Sequence, residues 1–400
     1  MTPQKEHSEF GISKFWRAAY IVCIVASLML HVFNELNITE ELKFFHITAA
    51  LACVIVIVFF PKSTKTQILT YGLGGIAILS SALSPYPGAI TRAISMVIVI
   101  IGCSGLSYVN ANKIIKLANI LIPIVLVVLY AHFLSLVAIY RYTGFYNDPN
   151  YLCTTLMVFE FLIFEYMLRS TKKVIKFLLI FELGLIFMLA VPTLSRTGIV
   201  CLLFLVMAYS WELILKYRKI AIISLGIAIA YLVFSPPAFI TNSIESFNSR
   251  EDEHGNFAQA SNLRMEIALK GVNYVTHHPE YWLQGLGLGA TGHLEYFHDY
   301  RGDTHYLDHN TITSTFSETG VIGFFLMVTL FILTLKKNLK KTNMKSPDRL
   351  LRICGCLALF VFCLSINQLT YLPFWWMIYL LNNQNLINEN IAYNRLRSCR

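Results

Sequence analysis

The stretch FLLIFELGLIFMLAVPTLSRTGIVCLLFLVM, residues 177–207, decides the fold class of this chain. It joins two apolar runs, interpreted as spans over residues 174–192 and 197–215, through a few polar residues that include Arg196. A transmembrane helix needs about 20 mostly apolar residues to cross the hydrocarbon core of a bilayer. The stretch therefore predicts two neighbouring transmembrane helices with an arginine in the short turn between them.

The rest of the chain repeats this pattern. Of its 400 residues, 56% are hydrophobic and 14% are charged, whereas a soluble domain has about 25% charged residues. Apolar windows predict about twelve spanning helices. These spans cover residues 16–33, 44–60, 67–83, 89–108, 114–140, 151–168, 174–192, 197–215, 219–236, 319–335, 350–366 and 370–387. We therefore expect an all-α polytopic membrane protein.

Lysine and arginine residues set the expected orientation. Cytoplasmic loops of membrane proteins carry an excess of these residues, and here they cluster in alternate connections. The clusters lie within residues 62–65, 113–116, 169–176, 216–219, 336–349 and 395–400. The pattern predicts a multi-pass protein with both termini in the cytoplasm. The net charge of +9 is then a topology signal, and no nucleic-acid-binding motif accompanies it.

Three regions follow from this topology. Residues 1–236 hold the first nine helices, residues 237–318 form one large extracytoplasmic (periplasmic) loop, and residues 319–400 hold the last three helices and a basic cytoplasmic tail. Within the loop, residues 261–278 have the periodicity of an amphipathic helix. The glycines of residues 285–289 predict a flexible turn after it. Large loops in compact proteins are usually functional, so we expect the chemistry to face away from the cytoplasm.

The cytoplasmic loops carry none of the motifs of nucleotide-dependent enzymes. They contain no DxD motif, no P-loop and no dinucleotide-binding fingerprint. An enzyme outside the cytoplasm has no nucleotide pool. If such an enzyme transfers a sugar, the donor must arrive already activated, most simply on a lipid diphosphate. The nine cysteines lie mostly in apolar runs and indicate neither a disulfide framework nor a zinc site.

Two arginines on the extracytoplasmic side are candidate anion ligands. Arg196 lies between two apolar runs, where an arginine normally needs an anionic partner or a water-filled cavity. Arg264 lies near the start of the expected loop helix, where the helix dipole also favours an anion. A guanidinium can bind a phosphate through two parallel hydrogen bonds. The alternatives are an arginine that reaches the membrane interface for Arg196 and a surface ion pair for Arg264.

The pair His309-Asn310, shortly before the tenth span, is a candidate for acid–base chemistry. Histidine titrates near neutral pH and can accept a proton from a sugar hydroxyl, although a single loop histidine is more often only solvated. Other histidines and aspartates of the loop raise the alternative of a metal site, but their spacing matches no zinc signature. We therefore expect no metal.

Short motifs occur in a fixed order over roughly residues 145–335. They are Asn147-Asp148-Pro149-Asn150, Leu194-Ser195-Arg196-Thr197-Gly198, Arg264, His278-Pro279, Gly285-Leu286-Gly287-Leu288-Gly289, His309-Asn310 and Glu318-Thr319-Gly320-Val321-Ile322-Gly323. This ordered set resembles the O-antigen ligase and O-antigen polymerase superfamily of bacterial surface-polysaccharide enzymes. The layout of about twelve spans agrees with that superfamily.

The resemblance implies a C-type glycosyltransferase of the bacterial inner membrane, inverting, metal-independent and without a cofactor. The implied donor is a glycan on undecaprenyl diphosphate, and the implied acceptor is a sugar hydroxyl of lipid A–core. The matching residues are Arg196 and Arg264 for the diphosphate and His309 for the acceptor hydroxyl, with His305 as an alternative histidine. Asp148, Asn150 and Asn310 are further candidates for substrate binding, although turn formation alone also explains the first two.

Two other functions are compatible with the sequence. An O-antigen or capsule polymerase would use the same chemistry and pass the glycan to another repeat unit. A transporter or flippase would use no covalent chemistry, and the intramembrane acids Glu160, Glu165 and Glu182 keep this alternative open. Transporters typically have paired broken helices and similar halves, which this sequence does not show. Glu160 and Glu182 could instead pair with loop lysines near the ends of spans.

Overall fold

The computed structural model describes residues 14–33, 43–60, 64–86, 88–136, 141–146, 148–216, 268–293, 310–339 and 347–383. Within these ranges the chain forms helices joined by short turns, and no β-strand occurs there. The expected all-α class is therefore confirmed.

The α-helices of these ranges are numbered α1 to α12 in chain order. Their bounds are Lys14–His31, Phe44–Phe59, Lys65–Ala82, Ala89–Ser104, Ala111–Ser135, Pro149–Arg169, Lys173–Ala190, Arg196–Lys216, residues 268–277, Thr311–Leu339, Pro347–Cys363 and Leu372–Leu381. Short 3-10 segments lie at Gly105–Ser107, Val191–Thr193, Pro279–Tyr281 and Ala290–His293. Helix α9 lies inside the amphipathic helix expected over residues 261–278, whose first part is outside the described residues.

Six helical segments of the described ranges are long and apolar enough to cross a membrane. They are Lys14–His31, Ala89–Ser107, Ala111–Ser135, Pro149–Arg169, Lys173–Thr193 and Thr311–Leu339. Shorter apolar helices are Phe44–Phe59, Arg196–Trp211 and Leu372–Leu381. The chain is thus a multi-pass membrane protein. The count of about twelve spans stays a prediction, and the span expected at residues 219–236 lies outside the described residues.

Helices α6 and α12 form the centre of the bundle. Every residue of α12 is buried, and so is nearly all of α6. A helix that is apolar on all sides lies inside a large protein or a membrane. By contrast, α7 exposes Val174 and Phe177, each 72% accessible. Such an apolar outward face fits contact with lipid tails, which are as apolar as leucine.

The acids within the spans have different surroundings. Glu165 of α6 is buried and pairs with Arg169 (Nη2 to Oε2, 2.6 Å) and with Arg352 of α11 (Nε to Oε1, 3.3 Å). Removing one partner of a buried ion pair leaves an uncompensated charge, so this contact fastens α6 to α11. Glu160 does not pair with a lysine among the described residues. Both of its carboxyl oxygens are buried without a hydrogen-bond partner among the described residues.

Candidate functional site

A pocket of about 220 Å³ opens at one end of the bundle. It lies where α1 ends and where α2, α4, α6 and α12 begin, the end that the charge pattern assigns to the extracytoplasmic side. Its walls carry His31, Lys43, Phe45, His46, Arg92, Ser95, Tyr146, Tyr151, Leu288, Gly289, Glu318, Asn367, Leu369, Thr370 and Tyr371. The pocket therefore combines aromatic rings with two cationic side chains, one carboxyl group and several hydroxyl groups.

Helix α10 is broken at Gly320, close to the pocket. The φ of Gly320 is 69° and its ψ is −173°, so the backbone leaves the helical conformation there. The carbonyl oxygens of Ser317 and Glu318 instead accept hydrogen bonds from the amides of Leu286 (2.9 Å) and Gly287 (3.0 Å). Buried backbone groups must be paired within a membrane protein. The glycine-rich turn thus supplies the partners that the interrupted helix lacks.

The glycine-rich turn of residues 285–289 fits against this break because its glycines lack side chains. All three have positive φ, a conformation that glycine adopts readily and other residues rarely do. A Cβ atom on Gly285 would lie 2.4 Å from the backbone of Glu318. A Cβ atom on Gly289 would lie 2.1 Å from Nη1 of Arg92. The chain turns at the position that the sequence predicts, and the last glycine leaves the space that the Arg92 guanidinium occupies.

Opposite charges reach the pocket from α4 and α10. The guanidinium of Arg92 lies over the ring of Tyr86, 5.5 Å from its centroid, which is a cation–π contact. The carboxyl group of Glu318 is 1% exposed, and its Oε1 accepts a hydrogen bond from the Thr291 hydroxyl (3.1 Å). Both groups are therefore held in place by the protein itself.

Two histidines of the pocket are also held by hydrogen bonds. Nδ1 of His46 accepts a hydrogen bond from the backbone amide of Lys43 (2.9 Å). The neutral ring consequently carries its proton on Nε2 and can donate it. Nδ1 of His31 lies 3.1 Å from the hydroxyl of Tyr146, and its ring packs against Phe45 with centroids 4.4 Å apart. These contacts orient both rings.

Tyrosine hydroxyls connect the walls of the pocket. The hydroxyl of Thr155 lies 3.0 Å from that of Tyr146 and 2.7 Å from that of Tyr371. The Tyr371 hydroxyl in turn donates to the carbonyl oxygen of Tyr151 (2.5 Å). Burial raises the pKa of the Tyr146 hydroxyl well above the usual value of tyrosine. This hydroxyl therefore stays neutral and can both donate and accept a hydrogen bond.

The turn that carries Arg196 is joined directly to the start of α6. Asp148 caps α6, since its carboxylate accepts a hydrogen bond from the amide of Asn150 (2.7 Å). The hydroxyl of Ser195 donates to Oδ1 of Asn150 (2.5 Å) and accepts from the amide of Gly198 (3.0 Å), which caps α8. The two sequence motifs are thus brought together, and Arg196 is the exposed first residue of α8.

Backbone contacts also hold the residues that precede Ser195 in this turn. Leu194 has a φ of 52°, the only positive value of a non-glycine residue in the described ranges. Nε of Arg141 donates a hydrogen bond to the carbonyl oxygen of Thr193 (2.7 Å). The amide of Tyr142 donates one to the carbonyl oxygen of Pro192 (2.9 Å). Strained residues of this kind persist only where the surroundings hold them. The turn is therefore a rigid support for the arginine that follows it.

The other residues expected from the sequence are less fully described. Asn310 caps α10, since its Oδ1 accepts hydrogen bonds from the amides of Ile312 (2.9 Å) and Thr313 (3.3 Å). Arg264, His309 and the alternative His305 lie outside the described residues. Their convergence with Arg196 stays a prediction.

Sequence reasoning did not select several residues of the pocket. Lys43 and Arg92 are among the few basic residues on the side expected to be extracytoplasmic, and this scarcity was the available signal. Glu318 belongs to the last of the ordered motifs, but nothing in that motif indicates that its carboxyl group lines a pocket. Ser95 gives no signal, because a serine inside an apolar run usually bonds its own helix.

The comparison with known proteins bears on this region. No curated protein sequence matches the chain. Residues 181–328 match a family model described as O-antigen ligase. The matched segment covers a little over a third of the chain and contains Arg196, Arg264 and His309. This match confirms the resemblance to the O-antigen ligase superfamily that the motifs indicate.

Proposed function

We propose that the chain is a glycosyltransferase that moves a glycan from undecaprenyl diphosphate to a sugar hydroxyl of lipid A–core on the extracytoplasmic face. The observation that supports it most directly is the cationic and aromatic pocket beside the turn of Arg196. Tyr151 lines that pocket, and its neighbour Asn150 accepts the hydrogen bond of Ser195. The family match supports the general class of reaction.

The leaving group decides what the arginines must supply. A lipid diphosphate is already stable as an anion, so its departure needs charge stabilisation more than a proton. In the proposed mechanism Arg196 and Arg264 bind its oxygens through charge-assisted hydrogen bonds. The short, capped turn before α8 suits Arg196 to this task, because it fixes the backbone from which the guanidinium extends.

The acceptor hydroxyl is the poorer reactant and needs a base. Its oxygen attacks the anomeric carbon of the donor, its proton passes to the imidazole of His309, and the bond from that carbon to the diphosphate oxygen breaks. A single displacement of this kind inverts the anomeric centre. The proposed reaction uses neither a metal ion nor a cofactor. Asp148, Asn150 and Asn310 act in it as positioning residues, because each caps or ties a helix start.

A direct assay tests this proposal. The purified protein should convert a glycan on undecaprenyl diphosphate and lipid A–core into linked product, with release of undecaprenyl diphosphate. A transporter would form no product under these conditions.

Deletion of the gene separates the ligase from a polymerase with the same chemistry. In a strain that makes long-chain lipopolysaccharide, loss of a ligase leaves polymerised glycan on undecaprenyl diphosphate, unattached to core. Loss of a polymerase leaves core that carries one repeat unit. Normal attachment and normal chain length after deletion would contradict both.

A further inference from the structure

The pocket holds more binding groups than the proposed reaction uses, and we propose that it binds one sugar unit carrying an anionic group, a phosphate or a carboxylate. This inference rests on the proposed function and extends it. In that mechanism Arg196, Arg264 and His309 serve the diphosphate and the reacting hydroxyl, and no covalent step involves a side chain of the pocket.

The charges of the pocket favour an anion. Lys43 and Arg92 reach it from different helices, and Glu318 is the one acidic residue among its described lining residues. The guanidinium of Arg92 is suited to a planar carboxylate or a phosphate, which it can bind through two parallel hydrogen bonds. The buried carboxyl group of Glu318 is suited to accept hydrogen bonds from sugar hydroxyls. Together these groups favour a ligand with both a negative charge and hydroxyl donors.

The shape and the aromatic walls favour a single sugar ring. Phe45, Tyr146, Tyr151 and Tyr371 line the pocket, and the C–H face of a sugar ring packs well on such rings. The volume of about 220 Å³ is below the roughly 300–1,000 Å³ of sites for drug-sized ligands. One ring therefore fits inside, and the remaining units of a glycan extend from the opening.

Ser95 provides an independent sign that a polar ligand belongs here. It lines the pocket, it is 5% exposed, and its hydroxyl has no hydrogen-bond partner among the described residues. Buried hydroxyl groups are normally hydrogen-bonded, and each exception needs an explanation. A hydroxyl or anionic oxygen of a bound sugar would supply the missing partner.

Thermal unfolding of the purified full-length protein tests the inference with four probes. These are glucose 6-phosphate, glucuronic acid, glucose and inorganic phosphate. We expect glucose 6-phosphate or glucuronic acid to raise the unfolding midpoint at concentrations where glucose and inorganic phosphate do not. Arg92→Ala should lower the affinity for whichever anionic sugar stabilises the wild type by roughly tenfold or more. Lys173 is an exposed cation at the start of α7, at the end of the bundle away from the pocket. Lys173→Ala should therefore leave the shift of the unfolding midpoint unchanged.

A second variant guards against loss of fold. Ser95→Ala removes a hydroxyl that has no partner among the described residues, so its unfolding midpoint without ligand should equal or exceed that of the wild type. Its response to the anionic sugar should nevertheless be weaker. Equal stabilisation by glucose or by inorganic phosphate, no stabilisation by either anionic sugar, or full affinity in Arg92→Ala would each overturn the inference.

This assay contains no lipid-linked donor, so its failure differs from failure of the proposed transfer. Steady-state transfer by Arg92→Ala then identifies the source of the sugar. A raised KM for lipid A–core assigns the pocket to the acceptor, and a raised KM for the lipid-linked glycan assigns it to the donor. Unchanged KM values for both would count against the inference while leaving the transferase intact. Sugar binding without any transfer by the wild type would count only against the proposed function.

Discussion

At the scale of single residues, the proposed mechanism makes its strongest demand on Arg196. Replacing Arg196 with alanine should lower the rate of transfer by about 10²-fold or more, because it removes one preorganised donor to the leaving group. Arg196→Lys should recover little of the rate, since an ammonium group cannot make the bidentate contact. Initial rates of glycan transfer by the purified variants measure this. Lys173→Ala is the matched control. Full activity in Arg196→Ala would contradict the proposed binding of the diphosphate by Arg196.

Single residues also show what a sequence can and cannot reveal. Arg196 is visible because a charge between two apolar runs requires an explanation. Arg92 and Ser95 become site residues only when α4 packs beside the glycine-rich turn, and no local pattern encodes that contact. The sequence indicates only that Asp148 and Asn310 are polar residues next to predicted spans. The structure gives each of them a capping task.

At the scale of elements, the break in α10 depends on Gly320. A Cβ atom on this residue would lie 2.3 Å from the carbonyl oxygen of Leu283, and its positive φ disfavours any side chain. Gly320→Ala should therefore destabilise the protein by about 2–4 kcal/mol, measured as a lower thermal unfolding midpoint in detergent. Gly184→Ala in α7 is the control. Nothing lies within 4 Å of its added Cβ, so helix propensity alone predicts up to about 1 kcal/mol of stabilisation.

The hydrogen bond between Ser195 and Asn150 joins α8 to α6 and makes a second prediction at this scale. Ser195→Ala removes the cap of α8 and the donor to a buried amide oxygen, so we expect a loss of about 1–3 kcal/mol. Asn150→Ala should cost a similar amount, and the double variant less than the sum of the two. Unfolding midpoints of the four proteins measure the coupling. Additive effects would mean that the contact does not fasten the two helices.

Element bounds were easier to predict than element breaks. The apolar windows place most spans within a few residues of the observed helices, because hydrophobic length is a local property. Helix α10 begins at Thr311, eight residues before the span expected at residue 319. Its first two turns are rich in serine and threonine, so a hydropathy window does not detect them. The loop contacts that divide it at Gly320 are not local either.

At the scale of the whole molecule, the sequence does not predict which helices lie at the centre of the bundle. Three asparagines lower the hydropathy of the last predicted span, residues 370–387. Helix α12, which lies within it, is nevertheless at the centre of the bundle. Asn382 and Asn383 are buried at its end, where their side chains donate to Thr334 Oγ1 (2.8 Å) and to the Leu106 carbonyl (2.5 Å). Polar residues are acceptable inside a membrane protein when neighbouring helices satisfy them. A hydropathy window counts the asparagines and cannot see these partners.

The orientation of the molecule in the membrane makes the last prediction. The charge pattern places the pocket and the start of α8 outside and the start of α7 in the cytoplasm. Helix α7 has 18 residues, a length of about 27 Å, so its two ends lie at opposite membrane surfaces.

Cysteine labelling of whole cells tests this orientation. Leu283 is 64% exposed next to the glycine-rich turn, so Leu283→Cys should react with a membrane-impermeant maleimide added to intact cells. Lys173→Cys should react only after the cells are opened. The parent protein is the control, since its eight described cysteines are buried or half-buried. The reverse labelling pattern would put the pocket on the cytoplasmic side. This result would contradict the proposed transfer on the extracytoplasmic face.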